Sequence, residues 1–371
     1  MDSGTFRKAL RAVLLSIAAL VAVALAALAI VVAVLAAGRA ADRRDQAARL
    51  EAFRAEPPGI APSLGADLEI PDSLPFTRLR LLATHNSYRA AGTWLGLFLV
   101  GLVEPEWPAK LAYAHRPLRD QLDSGIRSFE LDLRPKGLGF VLSHVPLVDQ
   151  RSAAPDFALA LEELALWSDR NPGHLPIVVI VEAKDDYAFL DPGLGPWDLA
   201  AFGRLDAALR EGLGPRLYGP DQFRGDRADL PTARALDGWP TVGELRGRIV
   251  FVLHEGERFR KVYTSDRAAL EGASLFTCAP SDAPDSAGFA ILNDPTDLAS
   301  IKDALREGLV VRTRADADLE SSPGRLEAAL ASFAQIVSTD FPPYAPAPDG
   351  YYASLPGGAY ADSGGGPVRG D

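Results

Sequence analysis

The chain has 371 residues, 48% of them hydrophobic and 23% charged, with a net charge of -11. This composition supports one large α/β barrel with an appendage, or two ordinary domains, and excludes global disorder. The acidic balance excludes the basic stripe of a nucleic-acid binder and any net attraction to anionic lipid, and the lone Cys278 excludes an intrachain disulfide.

Residues 1–11 form a short N-terminal segment. From Ala12 to Ala37 no charge interrupts an Ala/Val/Leu/Ile run, longer than the roughly 20 residues needed to cross a bilayer. It is read as a transmembrane helix or signal anchor. The alternative is a secretory signal cleaved in A-A-G-R-A-A, although such signals carry a shorter apolar region. Arg7, Lys8 and Arg11 precede the run and Arg39, Arg43 and Arg44 follow it, so the positive-inside comparison is nearly balanced. Residues 38–75 are expected to be a linker, with Ala40 to Phe53 continuing as a charged helix before a proline-containing stretch.

A barrel is expected over residues 76–343. Short runs rich in β-branched or aromatic residues, bounded by Pro or Gly, read as buried parallel strands. The first four are Leu81–Ser87, Phe129–Leu133, Phe140–His144 and Ile177–Lys184; the later ones are Arg248–His254, Ser274–Cys278, Phe289–Asp294, Leu309–Arg314 and Gln335–Asp340. Nine runs compete for eight staves, and one of Ser274–Cys278 and Phe289–Asp294 is expected outside the ring. Helical spacing at Pro155–Trp167, Trp197–Leu213, Leu298–Glu307 and Pro323–Phe333 supplies crossovers. Trp94–Leu102 is read first as a helix packed on the barrel, with a rim helix dipping into lipid as the alternative. Residues 344–371 show no periodicity and are expected to be loop or disorder.

In a closed (β/α) barrel the C-terminal strand ends share one mouth. Glu130 and Asp132 form an E-x-D pair whose side chains point the same way. With Asn86 and Glu182 they make an oxygen-only set suited to Ca²⁺, or less well to Mg²⁺. No Cys/His cluster has zinc spacing. His85 and His144 can serve as base and acid across a phosphodiester held on the metal. Lys184, Arg312 and Arg314 are candidate phosphate contacts. A calcium site is more easily filled outside the cytoplasm, so the barrel is expected there. His174, in a turn before its strand, is expected at the opposite, structural end. His115 is left as a supporting group, as is His254, which ends a strand without a companion carboxylate pattern.

T-H-N-S-Y, P-L-R-D-Q-L-D-S-G-I-R-S-F-E-L-D-L, S-H-V-P-L-V-D and L-W-S-D-R-N-P-G-H-L-P-I-V-V-I-V-E-A-K-D resemble the calcium-dependent, bacterial-type phosphatidylinositol-specific phospholipase C family. So do G-W-P-T-V-G-E-L-R-G-R-I-V-F-V-L, V-V-R-T-R-A-D-A-D and I-V-S-T-D-F-P, and the likeness runs from about Leu79 to Pro343. The resemblance implies a TIM-type (β/α)8 barrel of the PLC-like phosphodiesterase kind, with base and acid at His85 and His144. It implies calcium ligands at Asn86, Glu130, Asp132 and Glu182. The implied reaction converts a membrane phospholipid to diacylglycerol and a cyclic inositol phosphate; no protein partner is implied. Departures from the pattern are the spanning helix and the apolar insertion after Tyr88. A glycerophosphodiester phosphodiesterase is the nearest rival, but it would open with H-R-G rather than H-N-S. An inactive membrane-anchored binding protein would lack one of the six site residues, and all six are present.

Overall fold

A computed structural model describes residues 3–254, 257–278, 286–316 and 323–366. In chain order the elements that position the site are α1 (Ser3–Ala55), α2 (Leu64–Glu69), β1 (Arg80–Thr84), α3 (Trp94–Val103), α4 (Trp107–Lys110) and α5 (Leu118–Ser124). They continue with β2 (Ser128–Lys136), β3 (Gly139–Leu142), α6 (Phe157–Arg170), β4 (Ile177–Ala183) and α7 (Leu199–Leu213). Strands β5 (Ile249–Leu253), β6 (Leu275–Cys278), β7 (Ala287–Ile291), β8 (Val310–Arg314), β9 (Ile336–Thr339) and β10 (Ala361–Asp362) follow.

The ring runs β1-β9-β8-β7-β6-β5-β4-β2 and closes where Ala83 pairs with Ser128 and Thr84 with Phe129. All eight staves are parallel to their neighbours. This is a closed (β/α)8 barrel. Its staves are buried on both faces, because one face fills the interior and the other meets helices. Hence β4 reads I-V-V-I-V-E-A with no polar residue before Glu182. On α6, Leu161, Leu164 and Trp167 are buried in the core shared with Val179 and Phe251.

The choice of staves needs correction. Ser274–Cys278 and Phe289–Asp294 both supply staves, and Phe140–His144 does not. Strand β3 pairs antiparallel with β2, Leu133 opposite Leu142. Only Gly137 and Leu138 lie between β2 and β3, whereas a parallel crossover takes a dozen residues or more. The pair is a hairpin, and the positive φ of Gly137, 60°, suits its turn.

Residues 38–75 begin with the expected helical continuation, but they pack on the barrel rather than run as a free linker. Helix α1 continues to Ala55 and buries Leu35, Asp42, Gln46, Leu50 and Phe53, a stripe at three- and four-residue spacing that lies against the barrel. Beyond it, α2 closes the bottom of the barrel, where Asp67 accepts from Arg127 Nε at 2.8 Å and Leu175 N at 3.1 Å. The C-terminal segment is irregular but packed: Ala347, Ala353 and Leu355 are buried, and β10 pairs antiparallel with β1. Expectations for residues 1–2, 317–318 and 367–371 fall outside the described residues.

Candidate active site and metal centre

Strand β1 ends at Thr84, and the next two residues turn into the mouth. His85 N donates to Thr339 O at 3.0 Å and Ser87 N to Glu130 O at 2.9 Å, which pins the intervening Asn86 between β9 and β2. Asn86 takes φ 46°, a left-handed conformation that asparagine tolerates better than most residues. On β2, Glu130 and Asp132 point inward, and Asp132 is paired in register with Glu182 of β4. The four expected oxygen ligands therefore come from the ends of three adjacent staves.

Asn86 Nδ2 donates to the Tyr113 hydroxyl at 2.8 Å, which leaves its Oδ1 turned away from that bond. Among the described residues, Asn86 Oδ1 and both carboxylate oxygens of Asp132 are buried without a hydrogen-bond partner. Such oxygens are costly unless something electropositive meets them. Glu130, Glu182 and His254 bring ligand atoms within 4.8 Å of one another. His254 thus does keep carboxylate company, contrary to the sequence expectation; the pairing of β4 with β5 supplies it. Oxygen donors in this number fit a hard divalent cation such as Ca²⁺.

Two cations already lean on these carboxylates. Lys184 Nζ lies 2.7 Å from Glu182 Oε1 and 3.7 Å from Asp132 Oδ2. Arg312 is buried and bonds Glu130, Asn293 and Ser338 Oγ. Burial pushes Asp132 up to about 7, with Lys184 opposing and Glu182 adding to the rise. Burial is the largest influence on Glu130 and Glu182 and works against their charge, but Arg312 with His85 and His254 for the first, and Lys184 with His254 and His144 for the second, together hold both below their ordinary values.

Each histidine is backed by an aspartate, and each aspartate by an arginine. His85 Nδ1 is 2.7 Å from Asp340 Oδ1, and Arg314 lies 3.4 Å from Asp340 Oδ2. Burial, then Arg314, holds the His85 imidazole well below its ordinary value, so it is neutral, and its Nε2 faces Glu130 Oε1 at 3.6 Å. His115 Nε2 contacts the His85 carbonyl at 2.8 Å, a supporting role in keeping with its position in a loop. His144 lies two residues past β3, with Nδ1 3.0 Å from Asp149 Oδ2; Arg89 grips the same carboxylate at 2.9 Å and 3.3 Å. His85, Asn86, Trp107, Lys110, Tyr113, His144, Arg314 and Asp340 line one cavity of about 170 Å³. Of the three cationic candidates only Arg314 lines it. His174 sits at the other end, between Ser168 Oγ at 2.8 Å and Leu175 O at 2.6 Å.

Asp340, Asp149, Arg89 and Tyr113 escaped the sequence reading. Asp340 closes the Q-I-V-S-T-D run, so its place at the mouth was readable. Asp149 was not: it returns to His144 through a turn in which Leu147 takes φ 67° and Val145 bridges Asp149.

Comparison with known proteins agrees with this geometry. Residues 74–139 and 134–364 match the family described as phosphoinositide phospholipase C, Ca²⁺-dependent. No curated protein sequence matches the chain. Among solved structures, a calcium-dependent phosphatidylinositol-specific phospholipase C from Streptomyces antibioticus is 21% identical, with a TM-score of 0.51 over 72% of this chain and 94% of that one. A calcium-dependent phosphoinositol-specific phospholipase C from a Pseudomonas species is 17% identical, with a TM-score of 0.56 over 83% of this chain and 99% of that one. At such identities the structural likeness speaks for the barrel, and the family match speaks for the lineage. The chain belongs to the Ca²⁺-dependent phosphoinositide phospholipase C family.

Proposed function

We propose that the protein is a calcium-dependent phosphodiesterase that cleaves phosphatidylinositol-type phospholipids to diacylglycerol and a cyclic inositol phosphate. The observation that carries this reading is the convergence of two aspartate-backed histidines and a set of orphaned oxygens on one barrel mouth. Asn86, Glu130, Asp132 and Glu182 would hold the ion, with His254 beside them. When bound, calcium would offset charge on the phosphoryl oxygens and lower the proton affinity of the attacking hydroxyl.

Asp340 orients His85 so that Nε2 takes the proton of the inositol 2-hydroxyl as its oxygen bonds to phosphorus. His144, oriented by Asp149, gives a proton to the glycerol oxygen as that oxygen's bond to phosphorus breaks. Arg314 is placed for a phosphoryl oxygen, while Lys184 and Arg312 balance the ligand carboxylates when no cation is present. Helix α1 has one stretch long and apolar enough to cross a membrane. We read it as a retained single-pass anchor with the barrel on the extracytoplasmic side. The strap of α1 residues packed on the barrel supports retention, because cleavage within A-A-G-R-A-A would cut through it.

The test offers phosphatidylinositol in vesicles and glycerophosphoinositol in solution, each with and without calcium. Calcium-dependent release of diacylglycerol is expected. Turnover of glycerophosphoinositol alone would transfer the barrel to the rival phosphodiesterase reading, and turnover unaffected by chelation would remove the metal assignment.

A further inference from the structure

Helix α1 leaves the barrel from the rim of the active-site mouth. Its contacts run in order along the barrel wall. Gln150 Nε2 donates to Leu35 O at 3.0 Å, and Arg39 donates to Leu142 O, Gln150 O and Pro155 O at 2.6 Å to 3.0 Å. Asp42 accepts from Arg151 Nε at 2.8 Å and Ser152 N at 3.1 Å. Gln46 exchanges hydrogen bonds with the backbone N–H and C=O of Asp156, the residue that caps the N-terminus of α6. Arg54 then reaches Glu162, and Arg170 at the far end of α6 donates to Arg54 O. Helix α6 runs from the mouth to the bottom of the barrel, and α1 descends beside it in the same direction. The part of α1 from Ser3 to Val34 therefore projects beyond the mouth.

That upstream stretch is the uncharged one. Ala12–Val34 is about 35 Å long at 1.5 Å per residue, enough for a hydrocarbon layer of about 30 Å. The level at which α1 leaves it, Val32 to Arg39, is flanked on both sides by the mouth loops. One groove, of about 810 Å³, lies between this level and the β2–β3 hairpin with the 190–192 loop; another, of about 280 Å³, lies between it and the start of α3. These elements carry apolar side chains that face solvent: Trp94 on α3 is 78% exposed, Leu138 at the hairpin tip 88% and Phe189 after β4 78%. Phe98 and Leu102 on α3 are exposed as well, because α3 faces the protein with Gly96 and Val100, its two buried residues. Gly96 lies so close to Val148 O that a β-carbon there would sit 2.1 Å from it, so α3 is pressed onto the loop carrying His144.

We infer that the juxtamembrane half of α1 is a rigid strap that holds the mouth face down on the leaflet α1 leaves. Trp94, Leu138 and Phe189 rest in its headgroup layer, and the enzyme takes lipid from its own membrane only. The occupant of this apolar rim is the bilayer, because the rim surrounds the exit of the spanning helix. This inference rests on the reading of α1 as a retained anchor.

The test uses the full chain reconstituted in phosphatidylcholine vesicles containing phosphatidylinositol, mixed with enzyme-free vesicles whose phosphatidylinositol is labelled differently. Turnover of the enzyme's own vesicles should exceed that of the others by about tenfold or more, as confinement raises effective concentration. Brominated phosphatidylcholine should quench wild-type fluorescence more than that of Trp94→Phe. A variant with a flexible Gly/Ser segment of about 12 residues inserted after Ala37 should lose the Trp94 quenching and, its barrel freed to turn outward, cleave lipid of the enzyme-free vesicles faster than wild type, while cleaving a water-soluble chromogenic inositol phosphodiester at the wild-type rate. Equal turnover of the two vesicle populations, or no Trp94 quenching in protein that floats with its vesicles, overturns the strap and leaves the anchor and the phosphodiesterase standing. Protein that does not float overturns the anchor and the strap together. Failure to cleave either the lipid or the soluble ester, with quenching intact, overturns the proposed activity and leaves the orientation in place.

Discussion

The two ends of the barrel treat buried polar groups in opposite ways. At the bottom, Arg127 donates to Asp67, Leu122 O, Ile126 O and Ser63 Oγ, all between 2.7 Å and 2.9 Å, and stacks 4.8 Å from the Trp167 ring. His174 spends both ring nitrogens on Ser168 and Leu175. At the mouth, Asn86 Oδ1 and both Asp132 oxygens are buried with no hydrogen-bond partner among the described residues, Lys184 approaching Asp132 only to 3.7 Å. Arg127, Asp67 and His174 at the bottom are satisfied by their own chain and serve stability; the mouth carries oxygens whose cost a ligand must offset.

The difference can be broken most sharply at the histidines. His85→Ala or His144→Ala should lower phosphatidylinositol turnover by about 10²- to 10⁴-fold while the melting temperature stays within a few degrees. A variant that keeps most of its rate would sink the base and acid assignment. At the bottom, Arg127→Leu leaves Asp67 uncompensated and should cost about 3–5 kcal/mol of stability, measured by denaturant titration, with the rate per folded molecule unchanged.

Asp132→Asn should move stability and function in opposite directions. Removing a buried carboxylate that makes no hydrogen bond, while Lys184 keeps its closer partner Glu182, should stabilise the calcium-free protein by about 1–3 kcal/mol, and the same change should abolish stabilisation by added calcium. A melting series with and without the ion reads both. Tyr113→Phe deletes the hydroxyl that orients Asn86 and should weaken calcium affinity about 10- to 100-fold, which titration calorimetry would detect; unchanged affinity would reduce Tyr113 to packing.

The smallest effect concerns acid. Burial pushes His174 down to about 4, whereas the unfolded chain titrates it near 6.5. The unfolded state therefore binds the extra proton. His174's contribution is complete above pH 6.5 and is lost as pH falls towards 4, at up to about 1.4 kcal/mol per pH unit. His174→Gln should flatten that part of the stability profile; an unchanged slope would show that other groups set it.

Much of this was legible in the sequence because it is local. Strand-like runs ending in His85-Asn86, Glu130-x-Asp132 and Glu182 put the site residues at stave ends, and two-residue alternation put both β2 carboxylates on one face. The same rules placed His174 at the bottom. What misled was connection length: Phe140–His144 looks like a stave by composition, and only the two residues between it and β2 mark it as a hairpin. Partners that arrive through the fold left no local signal, as with Tyr113 on Asn86 and His254 beside Glu130 and Glu182.

The sequence by itself determined an N-terminal helix apolar enough to cross a membrane, the barrel class and the residue types of the candidate site, since each follows from periodicity and residue type over a few neighbours. Tertiary structure alone decided which runs are staves, which aspartate steadies each histidine, and that α1 straps to the rim so that its apolar half projects past the mouth. Those outcomes depend on pairings between residues tens to hundreds of positions apart, which no local pattern encodes.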